Sequence, residues 1–365
     1  MTVSERAARI HRDAIIIDGH SDILLPIVDG RTTLTRAFPE AELERWRTVA
    51  RNMPPPPSAG DLPWDWDPLG LLIGPSGQYE LPVLEAGGIT AQCIAIYMHE
   101  EHLNHPLETA LQMVAQMHRE IDSEPERCLL ATSVADLRRA KSEGKVAYIL
   151  AFEGAEPIGR RLALWEVFAR LGLRMATFTH SRRNDLADGT QLHINTGGLT
   201  ALGRESVRIC HALGIVIDLA HISDRGFWDI IELAEGPVLC SHTSVLQVIE
   251  GYRAPWDEVN PTYGMTKMEA IAKAGGLIGV VFAGMADTNA LVDEVDAIVE
   301  QVGPDHVGLG SDFYGLDLPG FPSDLRHMGE YPRLTAKLVE RGYDDLKIHK
   351  VLGGNYLRIF EQVWR

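Results

Sequence analysis

The feature that most constrains this chain is an alternation. Short apolar runs rich in Ile and Val recur, each followed by a polar or glycine-containing turn and then by a stretch with helical spacing. That pattern belongs to repeated βα units around a parallel sheet. The runs fall at Ala14–Asp18, Ile89–Tyr97, Val146–Phe152, Arg174–Thr179, Ile215–Leu219, Pro237–Ser241, Leu277–Phe282 and His306–Gly310. Helices are expected at Leu107–Ile121, Leu162–Leu171, Gly203–Leu213, Asp224–Leu233, Lys267–Ala274 and Leu291–Val302. Eight parallel strands with intervening helices is the count of a closed barrel, whereas a doubly wound sheet usually has fewer strands and a phosphate-binding GxGxxG after the first. The sequence therefore predicts an α/β chain folded as a (β/α)8 TIM barrel, one domain over residues 1–365, with insertions after strands 1 and 6.

Those insertions are residues 31–80, with Pro54-Pro55-Pro56-Pro57 and the pair Trp64 and Trp66, and residues 252–264, with Arg253, Trp256 and Tyr263. Both follow strand ends at one face of the expected barrel, so they are candidate lids or pocket walls. The plainer reading is a surface insertion packed by its own aromatic residues.

Composition narrows the partners. The 365 residues are 45% apolar and 23% charged, which excludes collagen-like, disordered and low-complexity chains. With 34 basic against 51 acidic residues the net charge is −17, so a nucleic-acid partner is not expected and an anionic substrate needs a local exception. The N-terminal stretch carries charges where a signal peptide needs an apolar segment, and no window approaches the roughly 18 apolar residues of a membrane span. The expectation is a cytoplasmic protein without a membrane partner, and a homodimer is compatible with it. Cys93, Cys128, Cys210 and Cys240 are far apart and form no CxxC, which fits buried free thiols better than disulfides or a zinc knuckle.

In a TIM barrel the chemistry sits where strands end. Here strand 1 runs into Asp18-Gly19-His20-Ser21-Asp22, the third into Phe152-Glu153-Gly154 and the fourth into Thr179-His180. The fifth runs into Leu219-Ala220-His221, the sixth into Ser241-His242 and the eighth into Gly310-Ser311-Asp312. A lone His after a strand is ordinarily a hydrogen-bonded loop residue, and Ser-Asp there is often a helix N-cap. Six such ends on one rim are different, because gathering His and carboxylate groups in a partly buried pocket is costly without a compensating cation. Nitrogen and oxygen donors without Cys favour Zn2+, with Mn2+, Co2+ or Fe2+ as the other occupants these donors allow.

His20 and Asp22, two apart at one strand end, can bind one ion; His221 and His242, from adjacent strands, can bind a second. None of the seven lysines (Lys141, Lys145, Lys267, Lys273, Lys337, Lys347, Lys350) ends a strand, so a carbamylated-Lys bridge and Schiff-base chemistry are disfavoured. That leaves Glu153 to bridge. Two cations about 3.5–4 Å apart lower the pKa of a shared water and polarise a carbonyl, giving a hydroxide nucleophile. Asp312 is then free to take the proton during attack and return it to the leaving amine. His180 is placed to donate to the developing oxyanion. Its plainer role is to orient a metal ligand.

These residues, in this order, resemble the membrane (renal) dipeptidase family of binuclear zinc hydrolases over nearly the whole chain. IIDGHSDILLP is similar to the family's DGHNDLP, which puts His20 and Asp22 at its first-metal ligands, and AFEG carries the bridging Glu153. TFTHSRRNDLADG places His180 in the substrate-contacting position, and GIVIDLAHIS and PVLCSHTS carry the second-metal histidines, His221 and His242. HVGLGSDFYG puts Asp312 at the family's catalytic acid/base, and GGNYLRIF resembles the closing GGNxLRVF. The resemblance implies hydrolysis of a dipeptide or dipeptide-like amide, with a D-residue accepted on the C-terminal side. It also implies that Arg253, eleven residues after His242, clamps the substrate's terminal carboxylate, a task suited to a bidentate guanidinium.

Departures gather around the substrate. Ala254 stands where the family usually has Asn, and an insertion then reaches Met265-Thr266. Val281 replaces the Asn of the seventh-strand segment, Tyr314 replaces the second Asp of GSDFDG, and residues 31–80 match nothing in the family pattern. Two other readings therefore stay open: a related hydrolase acting on an N-acyl amino acid, another carboxylated amide or a lactone, and a binding protein on a hydrolase fold. The intact Asp312 argues against the second.

Overall fold

The computed structural model describes residues 2–28, 32–36, 79–191, 197–246, 256–315 and 321–364. Nine strands lie among them: β1 (Ile17–Asp18), β2 (Ala91–Tyr97), β3 (Cys128–Leu130), β4 (Val146–Glu153), β5 (Leu173–Thr177), β6 (Val216–Asp218), β7 (Leu239–Thr243), β8 (Leu277–Val280) and β9 (Val307–Leu309). Eight of them form one parallel path, β1-β2-β4-β5-β6-β7-β8-β9. The Gly19 amide donates to the Leu309 carbonyl at 2.8 Å and Ser21 bridges Phe313, so the first and last strands meet. The result is the nearly closed (β/α)8 barrel that the alternation predicts.

Two differences have plain physical reasons. The run expected as a strand from Ala14 starts only at Ile17, because the helix Val3–Asp13 extends to Ala14, whose amide still donates to the Ile10 carbonyl as a C-cap. The ninth strand, β3, lies off the barrel path beside the start of β4. Three residues are too few to carry a readable period. The helices between the strands lie within a few residues of expectation; Asp224–Leu233 matches at both ends, and Thr288–Val302 starts three residues early because Asp287 caps it through the amides of Asn289 and Ala290.

Alternate strand positions fill the barrel: Ala91, Cys93, Ala147, Ile149, Met175, Val216, Leu239 and Leu277 pack with Tyr356, Ile359 and Phe360 of the C-terminal helix Asn355–Val363. Tyr356 plugs the barrel floor and donates to the Ser241 carbonyl at 3.2 Å. Glycines make room for it. A Cβ on Gly19 would lie 1.9 Å from the Tyr356 hydroxyl, and one on Gly308 2.7 Å from its ring. The opposite face of the sheet packs residues such as Ile94, Ile96, Leu150 and Phe152 against the surrounding helices. All four cysteines are buried free thiols. Among the described residues no helix is long and apolar enough to cross a membrane.

His11 ties the first helix to this frame. Its Nε2 lies 2.8 Å from the Gly87 carbonyl, which can only accept, so Nδ1 of the neutral ring accepts from the Thr335 hydroxyl at 2.7 Å. Burial lowers its pKa from the ordinary value despite the opposing Gly87 carbonyl. A depressed histidine leaves the unfolded state binding more protons below pH about 6.5, so this group removes stability as pH falls through that value. His11→Ala is expected to cost about 1–3 kcal/mol at pH 8 through the two lost bonds, and to show a shallower loss than wild type between pH 7 and 5. Urea unfolding at the three pH values checks both.

Of the segments singled out as insertions, residue 31, residues 37–78 with Pro54-Pro55-Pro56-Pro57, Trp64 and Trp66, and residues 252–255 lie outside the described residues. The ends of the first are anchored. Glu80 accepts from Thr32 at 3.1 Å and from the Tyr314 hydroxyl at 2.5 Å, and Thr35 donates to Glu120 at 2.8 Å. In the second, Trp256 packs edge-on to Phe227, and Tyr263 stacks on Trp228 at 4.6 Å between ring centroids.

Candidate metal centre

The C-terminal ends of the barrel strands bring seven of the reactive side chains together. Glu153, the last residue of β4, is fully enclosed, and its Oε1 is the hub. It lies 3.5 Å from His20 Nε2, 3.9 Å from His180 Nε2, 3.1 Å from His221 Nε2 and 3.7 Å from His242 Nε2. His20 Nε2 is also 3.5 Å from Asp22 Oδ2 and 3.8 Å from Asp312 Oδ1. His221 and His242 face each other at 2.8 Å between Nε2 atoms. Arg253, the expected carboxylate clamp, lies outside the described residues.

Three overlapping sets present donor atoms all within 4.8 Å of one another: His20, Asp22 and Glu153; Glu153, His221 and His242; and His20, His242 and Asp312. Glu153 belongs to the first two, as a bridging carboxylate would. His180 belongs to none. The donors fit hard or borderline divalent cations. His20 Nε2 and Asp22 Oδ1 are buried without a hydrogen-bond partner among the described residues, an expensive state for protein groups that a cation resolves.

The electrostatics say the same. Burial, joined by Asp22, pushes the Glu153 carboxyl well above the usual range. Asp312 is pushed up to about 7, mainly by burial, with His20 opposing and Asp22 and Asp18 adding to it. Burial would depress His20, but Glu153, Asp22 and Asp312 outweigh it and hold the ring up to about 10. Burial, with His20 beside them, lowers His221 to about 4 and His242 further below its ordinary value. The second pair is thus neutral, the form that ligates metal. Ser241 Oγ at 2.8 Å from His242 Nδ1 can accept the ring N–H there and leave Nε2 as a lone pair. Burial, with His221, Arg182 and His20 beside it, lowers His180 well below its ordinary value too, and Ser181 Oγ sits 3.0 Å from its Nδ1.

The backbone is bent to aim these groups. His221 and Asp312 have φ of 58° and 61°, the left-handed region that costs a non-glycine residue about 1–2 kcal/mol. Gly315 lets the loop fold back on itself: a Cβ there would lie 2.1 Å from Asp312 Oδ1 and 2.8 Å from Asp22 Oδ2.

Sequence reasoning missed the supports underneath. Asp18, wholly buried, accepts from the Ser311 amide and hydroxyl at 3.1 Å, from Gln92 at 2.9 Å, from the His20 amide at 3.3 Å and from the Tyr331 hydroxyl. It thereby fixes the strand end carrying His20 to the one carrying Asp312. Asp218 does the same for β6 and β7, accepting from the Ala220 and Ser241 amides at 3.0 and 2.9 Å. The available signal was a carboxylate two or three residues before a strand-end His, in DGH and DLAH.

The comparisons with known proteins agree with this architecture. The dipeptidase tcpJ of Claviceps purpurea is 26% identical over 266 residues, 70% of this chain and 60% of that protein's length. Among solved structures, a dipeptidase described as a metallopeptidase of family M19 superposes with a TM-score of 0.73 at 24% identity, covering 96% of this chain and 99% of that one. A metallopeptidase from Rhodobacter sphaeroides, bound to a phosphinate mimic of the dipeptide L-Ala-D-Ala, gives 0.72 at 23% identity over 96% and 100%. The probable dipeptidase PvdM from Pseudomonas aeruginosa gives 0.74 at 22% over 99% and 98%. Residues 4–365 match the sequence model of the membrane dipeptidases, peptidase family M19, and the chain belongs to that family.

Proposed function

We propose that the chain is a binuclear zinc dipeptidase that hydrolyses the amide bond of small dipeptides and accepts a D-residue on the C-terminal side. The observation that carries this reading is Glu153 Oε1, which stands within 3.9 Å of the Nε2 atoms of His20, His180, His221 and His242. His20 and Asp22 would hold one cation, His221 and His242 the other, and Glu153 both. When bound, such a pair lowers the pKa of water toward neutrality and polarises a carbonyl.

The chain's own residues supply the rest. Asp312 takes a proton as the amide carbonyl is attacked and returns it to the departing amine, a task for a group that can hold or release a proton near neutrality. His180 donates to the oxyanion from Nε2–H in the tautomer whose Nδ1, 3.0 Å from the Ser181 hydroxyl, accepts from it. It is partly open, with 26% of its side chain exposed, as a group that meets substrate must be. The dipeptide mimic bound to the Rhodobacter sphaeroides relative supports an L,D-dipeptide as the first substrate to test.

The test is a substrate panel on zinc-supplemented protein. L,L- and L,D-dipeptides are expected to be cleaved with kcat/KM at least about 100-fold above N-acetyl amino acids and lactones, a difference of about 2.7 kcal/mol in transition-state binding. Cleavage of the N-acyl or lactone substrates with no turnover of any dipeptide would overturn the reading.

A further inference from the structure

Two of the places where the chain departs from the family pattern meet at one hydrogen bond. Tyr314 stands where that pattern has Asp, and Glu80 closes the segment from residue 31 that matches nothing in it. The Tyr314 hydroxyl donates to Glu80 Oε1 at 2.5 Å, and both residues are enclosed, at 2% and 1% exposure. Glu80 is itself held from two further sides: the Thr32 hydroxyl donates to Oε1 at 3.1 Å and the Tyr79 amide to Oε2 at 3.3 Å. The Tyr314 ring meets the Tyr79 ring edge-on, 6.3 Å between centroids. The phenol therefore ends on a fixed acceptor rather than in solvent.

At its other end Tyr314 belongs to the turn that carries Asp312. Both residues have positive φ, 61° at Asp312 and 68° at Tyr314, with Phe313 between them. Left-handed backbone at a bulky aromatic residue is rare and persists only where surrounding contacts over-determine it. Here the contacts come from two sides. Phe313 is fully buried among Phe282, Phe321 and Tyr79, and its carbonyl accepts from the Asp22 amide at 3.4 Å. Tyr314 is tied to Glu80. The turn closes through the Gly315 amide, which donates to the Asp312 carbonyl at 3.1 Å. The backbone just past Tyr314 is also the seat of the Asp312 carboxyl, since a Cβ on Gly315 would lie 2.1 Å from Asp312 Oδ1. Any rotation of the chain at Tyr314 therefore moves Gly315 against or away from that oxygen. For a group that must meet its proton at hydrogen-bond distance, a displacement of about 1 Å costs on the order of 100-fold in rate.

We propose that Tyr314 is a positioning residue for Asp312, its hydroxyl holding the 312–315 turn to Glu80 so that the Asp312 carboxyl keeps its place beside His20. The proposal rests on the acid/base role given to Asp312 above, and adds that the base of the first insertion takes part in it through Glu80. Tyr314→Phe removes one oxygen from a buried ring and leaves the ring packing in place. Thr32→Val is the matched control, since it takes the other hydroxyl from Glu80 Oε1 without touching the turn.

In zinc-supplemented Tyr314→Phe, kcat for dipeptides is expected to fall about tenfold, with KM within about twofold of wild type and metal content unchanged. Thr32→Val is expected to lower the melting temperature by a similar amount and to keep kcat within about twofold. Equal falls in kcat for the two variants, a fall that follows loss of metal, or wild-type kcat in Tyr314→Phe overturns the proposal. Crystal structures of metal-free wild type and Tyr314→Phe give a readout that needs no substrate. The turn is expected to relax from positive φ at position 314 with the Asp312 carboxyl displaced by about 1 Å, and an unchanged turn contradicts the proposal. Should the wild type cleave no dipeptide, the hydrolase reading fails by itself, and the two crystal structures alone decide whether Tyr314 holds the turn.

Discussion

Asp312→Asn is expected to lower kcat for dipeptide hydrolysis by about 10²–10⁴-fold, the usual contribution of a positioned acid/base, while the protein keeps its metal and its fold. The substitution is close to isosteric, so the crowded turn survives: φ of 61° at Asp312 and the contact with Gly315 are indifferent to one oxygen becoming nitrogen. The lost property is the ability to accept a proton and give it back. KM is expected to move little, because an interaction made only in the transition state leaves ground-state binding alone. The rival role is visible in the same geometry, since Asp312, His20 and His242 also form a set with ligand spacing. If Asp312 were chiefly a ligand, the Asn variant would lose metal in step with activity. Steady-state kinetics and metal content on one preparation distinguish the two, and full activity with full metal would remove Asp312 from the mechanism.

The parts of this protein that could be read from sequence are those where one residue type has one cheap explanation. Glu153 at the end of an eight-residue buried strand is such a case, because a carboxylate continuing an apolar run has to meet a compensating group. His180 after β5, His221 after β6, His242 near the end of β7 and the His20-Ser21-Asp22 turn after β1 were legible for the same reason, the barrel rule turning each strand end into a position on one rim. Asp18 and Asp218 escaped because their partners are backbone amides and, for Asp18, the side chains of Gln92, Ser311 and Tyr331, all far away in sequence. Nothing local marks an acid as a brace rather than a surface group. Tyr314, read as a departure near the substrate, donates to Glu80 at the end of the first insertion, a contact that no spacing could announce.

Glu153→Gln carries the other large effect. The amide keeps the shape of the carboxylate but has one acceptor oxygen and no charge, so it can neither bridge two cations nor balance them. Loss of at least one of the two proposed ions is expected, with kcat/KM for dipeptides down by more than about 10³-fold, on the order of 4 kcal/mol. Stability should move the opposite way in the metal-free protein. Glu153 is one of three carboxylates packed together with its pKa pushed far up, so in the absence of cations it is a source of strain above the usual carboxylate range. Metal-free Glu153→Gln is therefore expected to melt at or above metal-free wild type at pH 7. Function and stability part at this residue because the site is built for charges that the cations bring.

The central claim is that five of the seven side chains gathered at one end of the barrel, His20, Asp22, Glu153, His221 and His242, hold two cations through the single shared carboxylate of Glu153. Metal content after zinc supplementation and exhaustive dialysis, on wild type and Glu153→Gln in parallel, tests it most directly. The account predicts about two equivalents per chain in wild type and at most about one in the variant; one equivalent or fewer in wild type, or two retained by the variant, would contradict it.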